Sequence, residues 1–290
     1  DIFNGKVLFC TGGGSGICQK IVEAVMRHGA SAFIFGRRKD VLKQTSKKLT
    51  ELTGGKKCSY RSGDVRSLDS LQAAIDKCVE EFGRIDFVVA GAAGNYLCPI
   101  DQLSSNGFKS VVDIDLIGTY NTAKAALPSL KQTKGSFLSI SATLHYVGTP
   151  LQAHVSAAKA GVDALSQAIA VEFGPHGIRS NVIAPGPISG TEGFSRLSTP
   201  EILKNLTKKI PLQRVGTKDD IANSAIFLFS PAASFITGAI LVVDGGEHHL
   251  RASNSIMDHY PNGLLENYQI NSKSTTSLVV KKDECYKSKL

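Results

Sequence analysis

Val7-Leu8-Phe9-Cys10 runs directly into Thr11-Gly12-Gly13-Gly14-Ser15-Gly16-Ile17, and an amphipathic helical pattern follows. The apolar run reads as a strand and the glycine cluster as a sharp turn into a helix. A turn of this kind exposes backbone N–H groups at the positive end of the helix, where a pyrophosphate is held. A glycine cluster alone would describe any tight turn. The strand before it and the helix after it make Gly12, Gly13, Gly14, Ser15, Gly16 and Ile17 the candidate phosphate cradle of a dinucleotide site.

Outward from this unit, apolar β-branched runs alternate with helical patterns. Strands are expected at Val7–Cys10, Ala32–Phe35, Lys57–Arg61, Ile85–Ala90, Ser136–Ser141, Arg179–Ala184 and Ala239–Val243. Ser67 and Thr217 precede helical stretches at Leu68–Phe82 and Lys218–Phe229, where a hydroxyl can cap free N–H groups. The fold class is therefore α/β: a single Rossmann-type, doubly wound parallel sheet of about seven strands with helices on both faces. One domain is expected over 1–247, with a C-terminal extension over 248–290. The irregular stretch from Gly186 to Pro211 follows a strand's carboxyl end, where ligands bind in open α/β sheets.

The second expected strand ends in Phe35-Gly36-Arg37-Arg38, where an NAD enzyme places an acid on the ribose 2′-hydroxyl. Arg37 and Arg38 instead offer planar cations suited to a 2′-phosphate, which favours NADPH. Asp64 and Val65, after the third strand, are candidates to meet the adenine. Ala92 and Gly94, in Ala90-Gly91-Ala92-Ala93-Gly94, are candidates for close backbone approach to the ribose.

Composition narrows the class. The chain is 42% hydrophobic and 20% charged, with no apolar run long enough to span a membrane. Its formal charge of +8 is scattered, without an aromatic and basic platform, so a small anionic partner is expected rather than nucleic acid. The 6 cysteines form neither CxxC pairs nor a regular framework, so no metal site is expected and a reducing compartment is implied. The opening residues, from Asp1 to Lys6, carry no basic-plus-apolar leader. Ser288-Lys289-Leu290 spell a peroxisomal address, so the peroxisome matrix is the expected location and its import receptor an expected partner.

Thr11–Ile17, Ala90–Gly94, Lys159 in a long helix, Pro185-Gly186-Pro187 and Val243-Asp244-Gly245-Gly246 together resemble the short-chain dehydrogenase/reductase family over residues 5–246. Cys18 departs from that pattern, standing where the loop usually has a third glycine. The resemblance implies a catalytic tyrosine one turn before the lysine, and a serine and an asparagine upstream. Those positions hold Val155, Ala142 and Asp115, and only Lys159 is kept. Such a set has either lost catalysis or runs a different reaction. Asp115 is an alternative acid, able to give a proton itself or to orient a water.

The segments Ala92–Pro99, Asp113–Asp115 and Ala184–Gly193 are similar to the branch of this family that reduces 2,4-dienoyl-CoA thioesters in peroxisomes. That resemblance implies proton delivery by Asp115 with Lys159, which also binds the cofactor, and cover over the nicotinamide from Pro185, Gly186, Pro187, Ile188 and Thr191. It also implies acyl-CoA contacts from Arg66, Tyr96, Ser105, Asn106, Gly107 and Arg196. A dienoyl thioester suits a modest acid, because reduction yields a delocalised dienolate rather than an alkoxide. Another enoyl-thioester reductase and a silent NADPH-binding protein stay open. His154 and Ser156 flank Val155 but are rotated about 100° from it on a helix, so a satisfied core or interface role is expected for both. The helix face carrying Ala158, Val162, Leu165, Ala168 and Ile169 is a candidate contact in a homo-oligomer, dimer or tetramer, with packing inside the chain as the alternative.

Overall fold

A computed structural model describes residues 1–191, 194 and 206–251. Among them are seven parallel strands: β1 (Val7–Thr11), β2 (Ser31–Gly36), β3 (Cys58–Ser62), β4 (Phe87–Ala90), β5 (Ser136–Ile140), β6 (Arg179–Pro185) and β7 (Ile240–Val243). Their order is β3-β2-β1-β4-β5-β6-β7. The chain turns back between β1 and β4, so the carboxyl ends of those two strands flank the crevice where such sheets bind ligands. The expected strands are all present, with ends displaced by one or two residues.

Every residue of β1 is buried, because both faces of the sheet are covered. Leu8 and Cys10 point into one core with Ile21, Val22 and Val25 of α1 (Gly16–Arg27) and Leu42 and Leu49 of α2 (Lys39–Leu52). Val7 and Phe9 point into the other, with Leu71 and Ile75 of α3 (Leu68–Phe82). The period-two alternation of a strand thus serves two cores at once. α4 (Ser105–Val112), a π-helical turn over Asp113–Ile117, α5 (Gly118–Thr133) and α6 (Ala153–Phe173) follow in sequence. α7 (Lys218–Phe229) covers α1, and a short α8 (Glu247–Arg251) ends the described chain.

Both expected caps form. Ser67 Oγ accepts the Ser70 N–H at 3.2 Å, and Thr217 makes a capping box with Asp220. The α6 face is corrected in part. Ala158, Val162 and Ile169 are buried against the chain's own core and Leu165 packs beside them, because this stripe covers the sheet. The outward face carries Ala157, Ala160, Ala164, Ala168 and Val171 instead. No helix among the described residues is long and apolar enough to cross a membrane.

Candidate active site

A cleft of about 990 Å³ opens at the carboxyl ends of β1 and β4. At one end the Thr11–Ile17 loop lies against the end of β4. Gly12 has φ +73°, and a Cβ there would come within 2.8 Å of the Gly91 carbonyl oxygen. Only glycine allows that approach, which leaves room for a pyrophosphate along the backbone. Gly12, Gly14, Ser15, Gly16 and Ile17 line the cleft. Gly13 is outside that lining, because it packs on Ile34 of β2. Cys18 also lines the cleft, and its thiol donates to the Gly91 carbonyl at 3.6 Å, so the missing third glycine is replaced by a small side chain seated beside β4.

Arg37 and Arg38 flank the cleft after β2, and Arg38 Nη2 donates to Ser15 Oγ at 2.9 Å. This bond fixes a guanidinium at the edge of the phosphate loop. Asp64 and Val65, Ala92 and Gly94, and Pro185, Gly186, Pro187, Ile188 and Thr191 all line the same space. Thr191 Oγ1 donates to the Ile188 carbonyl at 3.0 Å and closes the turn there.

The other end of the cleft centres on Asp115, which is fully buried. Its Oδ1 accepts the Gly94 N–H at 2.7 Å, and its Oδ2 lies 3.1 Å from Lys159 Nζ. Lys159 Nζ also donates to the Ile140 carbonyl at 2.9 Å, so the ammonium is pinned between the end of β5 and the carboxylate. Asp115 reaches this position because its helix is wound as a π turn, a local widening often found at functional sites. Gly161 of α6 lies against the π turn: a Cβ there would sit 2.7 Å from the Leu116 side-chain tip, so a larger residue would make Leu116 repack. Neither the π turn nor its packing on Gly161 is written in hydrophobic period.

Val155 and Ala142 line the cleft beside this pair and offer no donor. His154 is fully buried with its ring edge-to-face with Tyr96 at 4.5 Å, which matches the expected turn away from the cleft. The expectation that it is satisfied fails: neither ring nitrogen has a hydrogen-bond partner. The Ser156 hydroxyl oxygen is likewise buried without one.

Tyr96 lines the cleft, and its hydroxyl sits over Gly107, 2.3 Å from where a Cβ would stand. Ser105, Asn106 and Gly107 form the first turn of α4, capped by Ser104. Four of the expected substrate residues therefore meet at one place, though only Tyr96 faces the cleft itself. Arg66 is forked onto Asp64 and does not line the cleft. Arg196 and Ser288-Lys289-Leu290 lie outside the described residues. Sequence reasoning missed Gln152, Leu144 and Glu247, which also line the cleft. Leu144 and Gln152 sit in the connection between β5 and α6, and Glu247 opens the short α8 after β7, where no periodicity marks them. Among the described residues no cluster suited to a metal ion occurs.

A family profile described as enoyl-(acyl carrier protein) reductase matches residues 12–248. The chain belongs to the short-chain dehydrogenase/reductase family, whose fold carries a nicotinamide dinucleotide. Among solved structures, a short-chain type dehydrogenase/reductase from Mycobacterium ulcerans superposes with TM-score 0.82 at 33% identity, covering 85% of this chain and 91% of that one. Within the family the chain is 50% identical over 270 residues to the (3E)-enoyl-CoA-producing peroxisomal 2,4-dienoyl-CoA reductase SPS19 of Saccharomyces cerevisiae, covering 92% of this chain and 91% of that protein. It is 46% identical over 248 residues to the peroxisomal 2,4-dienoyl-CoA reductase of Danio rerio, covering 85% of this chain and 82% of that protein.

Proposed function

We propose that the chain is an NADPH-dependent 2,4-dienoyl-CoA reductase of the peroxisome matrix, yielding a 3-enoyl-CoA for β-oxidation of unsaturated fatty acids. The observation that carries this reading is the buried Asp115–Lys159 pair in a cleft where Val155 and Ala142 replace the hydroxyls an alcohol dehydrogenase needs. The names of the relatives supply the substrate class and the compartment.

The cleft fits the cofactor, since the close approach of Gly12 to Gly91 leaves a backbone cradle that a side chain would fill. Gly12 to Ile17 would hold the pyrophosphate, Asp64 and Val65 the adenine, and Lys159 the nicotinamide ribose. Arg38, already tied to Ser15, and Arg37 beside it would take the 2′-phosphate, which supports NADPH over NADH. When bound, NADPH supplies the hydride.

The protein's part is to hold charge and return a proton. Hydride addition at C5 of the dienoyl thioester leaves a dienolate spread from C4 to the thioester oxygen. Asp115 and Lys159, directly or through a water, return a proton at C2, and the double bond settles between C3 and C4. A dienolate is a weaker base than an alkoxide, so a carboxyl and an ammonium can do what a tyrosine does elsewhere. Burial shields the pair from bulk solvent, which strengthens its electrostatics. Tyr96 with Ser105, Asn106 and Gly107 would flank the acyl-CoA, and Arg196 would meet its phosphates. A second copy would pack on the outward stripe of α6, making a homo-oligomer.

Purified protein should oxidise NADPH, read at 340 nm, with 2,4-hexadienoyl-CoA. Activity on a 2-enoyl-CoA alone would instead identify another enoyl-thioester reductase, the reading favoured by the description of the matched family profile. No oxidation with either substrate would leave a silent NADPH-binding protein.

A further inference from the structure

Arg66 is held in a way that ties it to the cofactor end of the cleft. Its Nε donates to both carboxylate oxygens of Asp64 at 3.1 Å, and its Nη2 donates to Oδ2 at 2.6 Å. The backbone N–H of Arg66 donates to Oδ1 at 3.0 Å. Three N–H groups share the two carboxylate oxygens, with the Nε hydrogen divided between them, so both oxygens are already engaged. Asp64 is also the carboxylate that lines the cleft where the adenine is expected. An adenine amino group reaching Asp64 competes with Arg66 for the same two oxygens.

The turn that carries both residues cannot swing away to solve the conflict. Asn121 Nδ2 on α5 donates to the Val65 carbonyl at 3.0 Å and to the Arg66 carbonyl at 3.3 Å, which pins the backbone. What can move is the Arg66 side chain, which is 45% exposed. The carboxylate within its further electrostatic reach is Asp113, already paired with Lys109. A released guanidinium is therefore best served by an incoming anion.

We propose that the Asp64–Arg66 pair couples the two ligands: NADPH takes the Asp64 carboxylate and frees Arg66 for a phosphate of the acyl-CoA, so that the cofactor promotes binding of the second substrate. The coupling rests on the dienoyl-CoA reading of the site and goes beyond it, because it makes Arg66 a positioning residue whose state depends on the cofactor. By linkage, CoA must raise NADPH affinity by the same factor. The fork is partly exposed, so the factor is modest, about three- to tenfold.

Coenzyme A itself is the probe, since it has no diene and cannot turn over. Its Kd for the full chain, measured by calorimetry with and without saturating NADPH, should fall by that factor, and the NADPH Kd should fall equally with CoA. Asp64→Ala leaves Arg66 free at all times and should bind CoA tightly without NADPH, with the coupling gone. Arg66→Lys keeps the cation but not the fork, and should also lose the coupling while still binding CoA. An unchanged CoA Kd in the wild-type protein, or full coupling surviving in Asp64→Ala, overturns the proposal. If the wild type turns over 2,4-hexadienoyl-CoA normally but shows no coupling, the proposal alone fails. If it neither binds CoA nor turns over, the dienoyl-CoA reading fails and takes the proposal with it.

Discussion

Replacing Asp115 by Asn keeps the size of the side chain and its acceptor for the Gly94 N–H, and removes only the charge beside Lys159. At 3.1 Å, and with an effective dielectric constant of about 20, the lost attraction is about 5 kcal/mol. Relief of the carboxylate's desolvation returns part of this, but Lys159 is then a buried ammonium with one carbonyl partner, Ile140. A net destabilisation of about 3 kcal/mol follows, or a Tm lowered by about 6–12 °C for a domain of this size. Turnover should fall more steeply, by about 10² to 10⁴, because proton return loses its group. Stopped-flow NADPH oxidation with 2,4-hexadienoyl-CoA measures the second effect, and a thermal melt the first. NADPH binding, read by its fluorescence, should survive at low temperature and separate catalysis from unfolding. His154→Ala and Ser156→Ala are the controls, since neither side chain hydrogen-bonds to the Asp115–Lys159 pair. Equal, small losses of turnover in all three variants would refute the assignment of Asp115.

Three further outcomes follow from the same geometry. Arg37→Ala with Arg38→Ala should weaken NADPH by about tenfold or more and leave NADH little changed, as paired titrations with the two cofactors would reveal. Gly12→Ala forces a side chain into a +73° φ and to within 2.8 Å of a carbonyl oxygen, so dinucleotide binding should be lost, with calorimetry as the readout. For acid stability, the Arg214 guanidinium and the Thr217 N–H hold the Asp220 carboxyl below the usual carboxylate range, outweighing its partial burial. Asp244 is also held low: burial pushes its carboxyl up, but bonds from His248 and the Gly246 N–H outweigh it. Groups lowered on folding stabilise the protein above the unfolded carboxylate value of about 4, and that contribution is lost progressively as pH falls from there through their lower folded values. Melting temperatures should therefore drop below about pH 4, and Asp220→Asn should flatten that drop while lowering Tm at neutral pH.

Much of the scaffold was legible because it follows from period and punctuation. The β1 apolar run, the Thr11–Ile17 turn and the Ser67 and Thr217 caps each use a rule that acts within a few residues, and each forms as expected. What escaped depends on neighbours distant in the chain. The apolar stripe of α6 could face a partner or the sheet with the same spacing, and only the fold decides that Val162 and Ile169 turn inward. The π turn that carries Asp115 packs on Gly161 of another helix, 46 residues on, and no local pattern announces it. Arg66, expected to contact the acyl-CoA, forks onto Asp64, a pairing that no hydrophobic period announces. Val155 was the clearest clue, since its lack of a proton points to Asp115.

The destination of the returned proton is the direct signature of the Asp115–Lys159 pair at work. Reduction of 2,4-hexadienoyl-CoA by NADPH in deuterium oxide, followed by NMR of the product, should show deuterium at C2, a double bond between C3 and C4, and a solvent-derived label nowhere else. A product carrying solvent deuterium at C4 with its double bond still at C2, or no product at all, would contradict proton return to the α-carbon by the Asp115–Lys159 pair.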